Sequence, residues 1–309
     1  MKDFLLFSGS SNKLLAQEIA KLLNKPLGKV DLTRFADGEI RPWIQEDVRR
    51  KIVFVIQSLS HPMDEHIMEL TLMGDAIRRS APETMVAVIP YMGYARQDKQ
   101  HRTGEPVSAR VIAKFIEISK YKEVITVDLH NDAIVGFFQI PVTHVSALQL
   151  LASEIKKLPG LSDKNSVVIS PDVGGVKRAR NLAYLLDMPM VVMEKKRHLD
   201  RFDTGESFQI IGDVKGKTAI IVDDIISTGG TIAQSAASLK DVGVSSVLVF
   251  ATHAVLAGKA LDTISRSSID KVVCTNTIAS RTQAIPPKLS FISIASLLAD
   301  AIASVVSVK

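Results

Sequence analysis

Short runs of apolar residues, many of them β-branched, alternate along this chain with longer stretches whose apolar positions recur at helical spacing. In the first half the pattern predicts strands over Phe4–Phe7, Ile52–Gln57, Met85–Pro90, Glu123–Val127 and Pro141–His144. Between them Asn12–Asn24, Met63–Arg79 and Val107–Ser119 have helical period, and in the first of these Leu14, Leu15, Ile19, Leu22 and Leu23 are expected on one face. The second half restarts the series with Val167–Ile169, Met190–Met193, Ala219–Val222, Val247–Ala251 and Lys271–Cys274, each separated by a helical stretch. This alternation is the signature of α/β architecture with mainly parallel sheets. At 309 residues the chain exceeds one typical domain. Two tandem α/β units are therefore expected, 1–146 and 147–309, meeting near Val145–Leu150 where PVTHV gives way to SALQLLASEIKKL.

The most informative chemistry lies in Ala219–Thr231, AIIVDDIISTGGT. An apolar strand ends in two adjacent carboxylates, then in a hydroxyl- and glycine-rich turn that opens the helical stretch Thr231–Val242. The backbone N–H groups of Ser227, Thr228, Gly229, Gly230 and Thr231, at a helix N-terminus with glycines allowing close approach, suit a phosphate monoester. Asp223 and Asp224 would repel that phosphate. They suit vicinal sugar hydroxyls, directly or through a divalent cation. Read from the residues, one end of the string grips phosphate and the other grips a pentose.

Other polar clusters carry candidate chemistry, several of them at strand ends. Phe35-Ala36-Asp37-Gly38-Glu39 sets an aromatic ring beside two carboxylates, a combination that can stack on a purine and address its amino group or a ribose hydroxyl; taken alone it also reads as an exposed acidic turn. After Pro90, in PYMGYARQD, Arg96 offers a bidentate grip for polyphosphate oxygens and Gln97 a neutral donor. His130, at the end of ITVDLH, is placed for a metal or phosphate contact, and Asp172 of SPDVGG is a second oxygen ligand for a divalent cation ahead of a helix starting near Val176. Glu194-Lys195-Lys196-Arg197-His198 opens a polar stretch running to about Ser207, with cations placed to neutralise a charged phosphoryl transition state.

Composition narrows the classes. The 38 basic and 33 acidic residues leave a net charge of +5 with the signs interspersed, so no basic stripe points to nucleic acid. One cysteine excludes an intrachain disulfide framework and a Cys-rich zinc site. No segment reaches the ~18 apolar residues of a membrane span, and the opening MKDFLLFSGSS carries only a short apolar run. A cytoplasmic protein, with no membrane partner, is expected.

Taken in order, FADGE, PYMGYARQD, TVDLH followed by GFF, SPDVGG with Lys177-Arg178, EKKR and VDDIISTGGT resemble the motifs of ribose-phosphate pyrophosphokinases (PRPP synthetases), from Phe4 to about Thr277. Type I phosphoribosyltransferases resemble only the second half. The resemblance implies two tandem phosphoribosyltransferase-like domains, the first with the ATP site and oligomer contacts and the second with the ribose 5-phosphate site and catalytic loop. It implies diphosphoryl transfer from MgATP to the C1 hydroxyl of ribose 5-phosphate. Phe35, Asp37 and Glu39 of a neighbouring subunit, with Arg96 and Gln97, match the ATP site. His130 and Asp172 match magnesium-linked positions, and Asp223, Asp224 and Ser227 to Thr231 match the ribose 5-phosphate site. Lys195 and Arg197 match the catalytic loop. A homodimer would be the minimal unit, within a tetramer or hexamer. Ser227 stands where many members have Asp, and GEPVSAR and EKKR are closer to archaeal-type members. A phosphoribosyltransferase, or a non-catalytic regulatory subunit of the same family, are the alternatives; the second should have lost Lys195, Arg197 or the Asp-Asp motif, which this chain retains.

Overall fold

The computed structural model describes residues 3–196, 207–282 and 284–308. In chain order the elements begin with β1 (Phe4–Ser8), α1 (Lys13–Leu22), β2 (Val30–Arg34), β3 (Ile40–Ile44), β4 (Ile52–Ile56) and α2 (Met63–Arg79). There follow β5 (Thr84–Ile89), α3 (Ser108–Ile118), β6 (Glu123–Val127), a 3-10 helix (Asp132–Phe137) and β7 (Val142–Val145). Next come α4 (Leu148–Lys156), β8 (Ser166–Ser170), α5 (Val176–Leu186), β9 (Met190–Lys196), β10 (Ser207–Ile211) and β11 (Thr218–Ile226). The series ends with α6 (Gly230–Asp241), β12 (Ser246–Ala254), α7 (Ala260–Arg266), β13 (Lys271–Thr275), β14 (Leu289–Ile292) and α8 (Ala295–Val308).

The chain forms two compact units: Met1–Ser146 with Thr277–Ala279 and Ser293–Lys309, and Ala147–Asn276 with Ser280–Ile292. The expected division carried the second unit through residue 309, whereas α8 lies with the first. The reason is in the first unit's sheet, whose strands run β1-β4-β5-β6-β7, all parallel and in sequence order. Right-handed crossovers along such a sheet put successive helices on one face. There Val53, Val55, Ala87, Ile89 and Val124 pack with Leu70 and Met73 of α2 and Ala113 and Ile116 of α3. The alternate positions Leu6, Phe54, Val86, Val88 and Ile125 are fully buried as well. On that side α8 packs on α1, β6 and β7, covering a face that the local crossovers leave bare.

The second unit's sheet has the order β10-β9-β8-β11-β12-β13-β14, parallel except for edge strand β10. From β8 the chain steps outward to β9, then returns past β8 to β11 and proceeds the other way. The order therefore reverses between β8 and β11. Helices cover both faces: α4 and α5 pack on Val168, Ile220, Val222 and Phe250, and α6 on Ile221, Val249 and Ala251.

Several local expectations change. In α1 the buried stripe is Leu15, Ala16, Ile19 and Ala20, while Leu14 and Leu22 are exposed, because only about a third of the helix circumference meets the sheet and α8. Among the described residues between β9 and β11 there is a strand, β10, where a helix was expected. Glu194–Lys196 continue β9 instead of opening a loop, since they pair with β10. FADGE is the tip of a separate two-stranded hairpin, β2–β3, not anticipated from periodicity.

Candidate active site

The ladder of β11 runs through both carboxylates. Ile225 and Ile226 pair with His253 and Ala254 of β12, so the strand ends four residues beyond Val222, where it was expected to stop. The two β-branched residues after the acids have partners in the sheet, and the turn shrinks to Ser227–Gly229. It is held from behind by Ala257 N, which donates to Ser227 O at 2.9 Å, and Leu256 N, which donates to Ile226 O at 3.0 Å. Gly229 is the N-cap of α6 with φ of 78°, a left-handed conformation that a side chain disfavours. Thr228, Gly230 and Thr231 are exposed and Ser227 is half-buried. The first N–H groups of α6 have no carbonyl four residues back. Within 4 Å, a Cβ at Gly230 would meet only Thr228 Oγ1, at 3.7 Å, so the backbone there is open to an anion.

The side chain of Asp224 is nearly buried and that of Asp223 is 23% exposed. Arg178 of α5 serves both: its Nη1 lies 3.1 Å from Asp224 Oδ1 and 3.3 Å from Asp223 Oδ1. Asp224 N also donates to Asp223 Oδ1, at 2.8 Å. Burial pushes the Asp223 carboxyl up to about 8; a hydrogen bond with Asp224 and its charge act in the same direction, and Arg178 opposes them. Arg178 is the residue whose place in the site was not drawn from the sequence, although Lys177-Arg178 formed part of the motif. An arginine in the first turn of the helix after a Gly-Gly turn is the available signal.

Asp172 lies in the adjoining β8–α5 turn, exposed, with Oδ1 accepting from Gly175 N at 2.7 Å and its carbonyl accepting from Ser170 Oγ at 2.7 Å. Since β8 and β11 pair through Ile169 and Ile221, the Asp172 turn and the acidic pair emerge at the carboxyl ends of neighbouring strands. That is the switch point where α/β sheets bind ligands. Lys195 lies on β9 opposite Phe208 of β10. Arg197 lies outside the described residues.

In the first unit, Arg96 and Gln97 follow β5 and His130 follows β6, all exposed at the carboxyl ends of neighbouring strands. Asn131 Nδ2 donates to Asp98 Oδ2 at 2.7 Å, tying the two loops together. Gln97 is held by Ser108 Oγ, 2.6 Å from Oε1, and by its carbonyl accepting from Ala109 N at 3.2 Å. Phe35, Asp37 and Glu39 occupy the hairpin tip, closed by Phe35 N donating to Glu39 O at 2.9 Å and Glu39 N donating to Asp37 Oδ1 at 3.2 Å. Phe35 is 52% exposed, with the Arg41 guanidinium 5.6 Å from its ring centroid. The hairpin is braced on α2 by the Arg34–Glu65 ion pair. No group of three or more His, Cys, Asp or Glu among the described residues forms a metal cage. Cys274 is fully buried and its thiol is pushed up to about 12, which removes it as a nucleophile.

Two parallel-sheet units, one with an Asp-Asp strand leading into a Gly-Gly helix N-terminus at its switch point, define a phosphoribosyltransferase-like α/β protein. Residues 4–119 match the sequence profile of the N-terminal domain of ribose phosphate pyrophosphokinase, and residues 203–308 match that of the phosphoribosyl synthetase-associated domain. Ribose-phosphate pyrophosphokinase 1 of Streptococcus pyogenes serotype M1 is 42% identical over 300 residues, covering 97% of this chain and 93% of the relative. The protein of that name from Streptococcus mutans serotype c is 42% identical, covering 96% and 92%. The crystal structure of phosphoribosylpyrophosphate synthetase from Mycobacterium smegmatis superimposes with a TM-score of 0.93 at 37% identity, covering 100% of both chains. The chain belongs to the ribose-phosphate pyrophosphokinase family.

Proposed function

We propose that this protein transfers the β,γ-diphosphoryl group of MgATP to the C1 hydroxyl of D-ribose 5-phosphate, giving 5-phosphoribosyl 1-diphosphate and AMP for nucleotide biosynthesis. The observation that carries the reading is the strand–turn–helix of Asp223 to Thr231 at the β8–β11 switch point, in a chain of this family. The open turn receives the 5-phosphate on backbone N–H groups, and the acidic pair accepts hydrogen bonds from the vicinal hydroxyls. Arg96 and Gln97, with Phe35, Asp37 and Glu39 of a second copy, receive the nucleotide, which makes a homo-oligomer necessary. Lys195 and Arg197 spread the charge that builds on the transferred group.

The donors present fit Mg²⁺ that arrives on the nucleotide. This ion keeps several waters and takes one or two carboxylates plus phosphate oxygens. Exposed Asp172 is such a carboxylate, and exposed His130 would be a second magnesium-linked position. When bound, Mg²⁺ would neutralise phosphate charge. No helix among the described residues is long and apolar enough to cross a membrane; that the reaction takes place in the cytoplasm is part of this proposal.

The test is AMP release from ATP and Mg²⁺ with and without ribose 5-phosphate, followed by phosphorus NMR of the product. Ribose-dependent AMP with a diphosphate on C1 is expected. In Lys195→Ala, turnover should fall ~10²-fold or more while ribose 5-phosphate binding persists. Tight sugar-phosphate binding without AMP in the unaltered protein would mean a non-catalytic relative.

A further inference from the structure

The two loops of the β8–β11 crevice are joined by Arg178. Its guanidinium is 22% exposed and its Nη1 reaches a carboxyl oxygen of each acid, at 3.1 Å and 3.3 Å. Asp223 Oδ1 therefore receives two donors, Arg178 Nη1 and Asp224 N, which set its orientation. The platform that carries Arg178 is itself fixed. The turn before α5 is closed by Gly175 N on Asp172 Oδ1, and a Cβ at Gly175 would meet Ser170 Oγ at 3.1 Å. A planar guanidinium on a fixed helix can hold two carboxyls in one arrangement, where an ammonium acts as a point charge.

This geometry bears on the pentose. Two adjacent, largely buried carboxyls repel one another when both are ionised, so one keeps a proton unless a cation balances the pair. Once aligned, they form a paired acceptor, and a 1,2-diol supplies the paired donors. A sugar lacking one hydroxyl leaves an acceptor dry and unpaired, a loss that discriminates strongly. Resting on the ribose 5-phosphate reading above, we propose that Arg178 is a positioning residue: it aligns Asp223 and Asp224 for the vicinal hydroxyls and so sets the preference for ribose over deoxyribose phosphates.

The experiment compares the wild type, Arg178→Gln and Arg178→Lys as full-length proteins. It reads kcat, KM for ribose 5-phosphate and for ATP, and the kcat/KM ratio of ribose 5-phosphate to 2-deoxyribose 5-phosphate. In Arg178→Gln the KM for ribose 5-phosphate should rise about tenfold or more, the KM for ATP should stay within about twofold, and the ratio should fall about tenfold. Arg178→Lys keeps the charge without the planar guanidinium that places Nη1 between the two acids and should fall between the two. An unchanged ratio, with both KM values and the melting temperature moving together, would reduce Arg178 to a structural ion pair and overturn the proposal. Should Arg178→Gln fail to fold, Arg178→Lys decides: a ratio lowered about threefold or more supports the assignment, and the wild-type ratio defeats it. If the wild type binds the sugar phosphate without making AMP, the enzymatic reading fails by itself. Calorimetric Kd values for the two sugar phosphates then supply the ratio, and a fall in Arg178→Gln supports the positioning role while an unchanged value defeats it.

Discussion

Asp223 occupies a position where burial and Asp224 both favour a neutral carboxyl, and Arg178 opposes them only in part, leaving it raised from 3.8 to about 8. Among the described residues, Asp224 and Arg178 are charged groups in contact with it. The native state therefore keeps a proton that the unfolded chain releases near the ordinary carboxylate value. Stability contributed by this group is complete below that value and is lost as pH rises through about 8. Within that window the slope for one proton is about 1.4 kcal/mol per pH unit. Melting temperatures of the wild type and Asp223→Asn at pH 6 to 9 should show the wild type losing ground to the variant up to about pH 8, then a constant gap. Parallel curves over the whole range would mean that Asp223 is ionised throughout.

At the scale of the element, the turn between β11 and α6 uses its two glycines differently. Gly229 holds φ of 78°, and a Cβ there would find ordinary contact distances, 3.5 Å to Ile264 Cγ1 and 3.6 Å to Ala260 O. The obstacle is the backbone conformation, not space. Gly229→Ala should cost about 1–2 kcal/mol of stability. Gly230 starts the helix in open surroundings, so Gly230→Ala should leave the melting temperature nearly unchanged while raising the KM for ribose 5-phosphate, because its methyl enters the phosphate cradle. Denaturant melts and steady-state kinetics on the pair separate the two effects, and equal stability losses would contradict this division. The strand–turn–helix itself was legible because β-branched runs and Gly-Gly are local signals. Its boundary was not, since Asp223 and Asp224 look like a strand end and only the ladder to β12 keeps Ile225 and Ile226 in the sheet. The hairpin under FADGE was equally hidden, because it pairs away from both main sheets. Arg178 is legible only as part of a motif, without its place in the site, for a related reason: its partners Asp223 and Asp224 lie far from it along the chain, the first 45 residues away.

For the whole molecule, the return of α8 to the first unit is the feature that periodicity cannot reveal, since an apolar helix face in the sequence does not say which sheet it covers. The first unit's strands follow one another across the sheet in sequence order, so its own crossovers leave one face without helices beyond α1. Leu298 and Ile302, both fully buried, bring the missing apolar surface from the far end of the chain. A cavity at Leu298 should therefore weaken the first unit, although the segment that leads towards α8, Ser280–Ile292, belongs to the second. Leu298→Ala should cost about 2–5 kcal/mol. Hydrogen exchange read by mass spectrometry should show the lost protection in α1, β6 and β7, with β11 to β13 retaining theirs. Loss confined to the second unit would refute this assignment of the helix. Loss spread evenly over both would mean that the two units unfold as one cooperative body, so that the first cannot hold its protection until the last helix of the chain has docked.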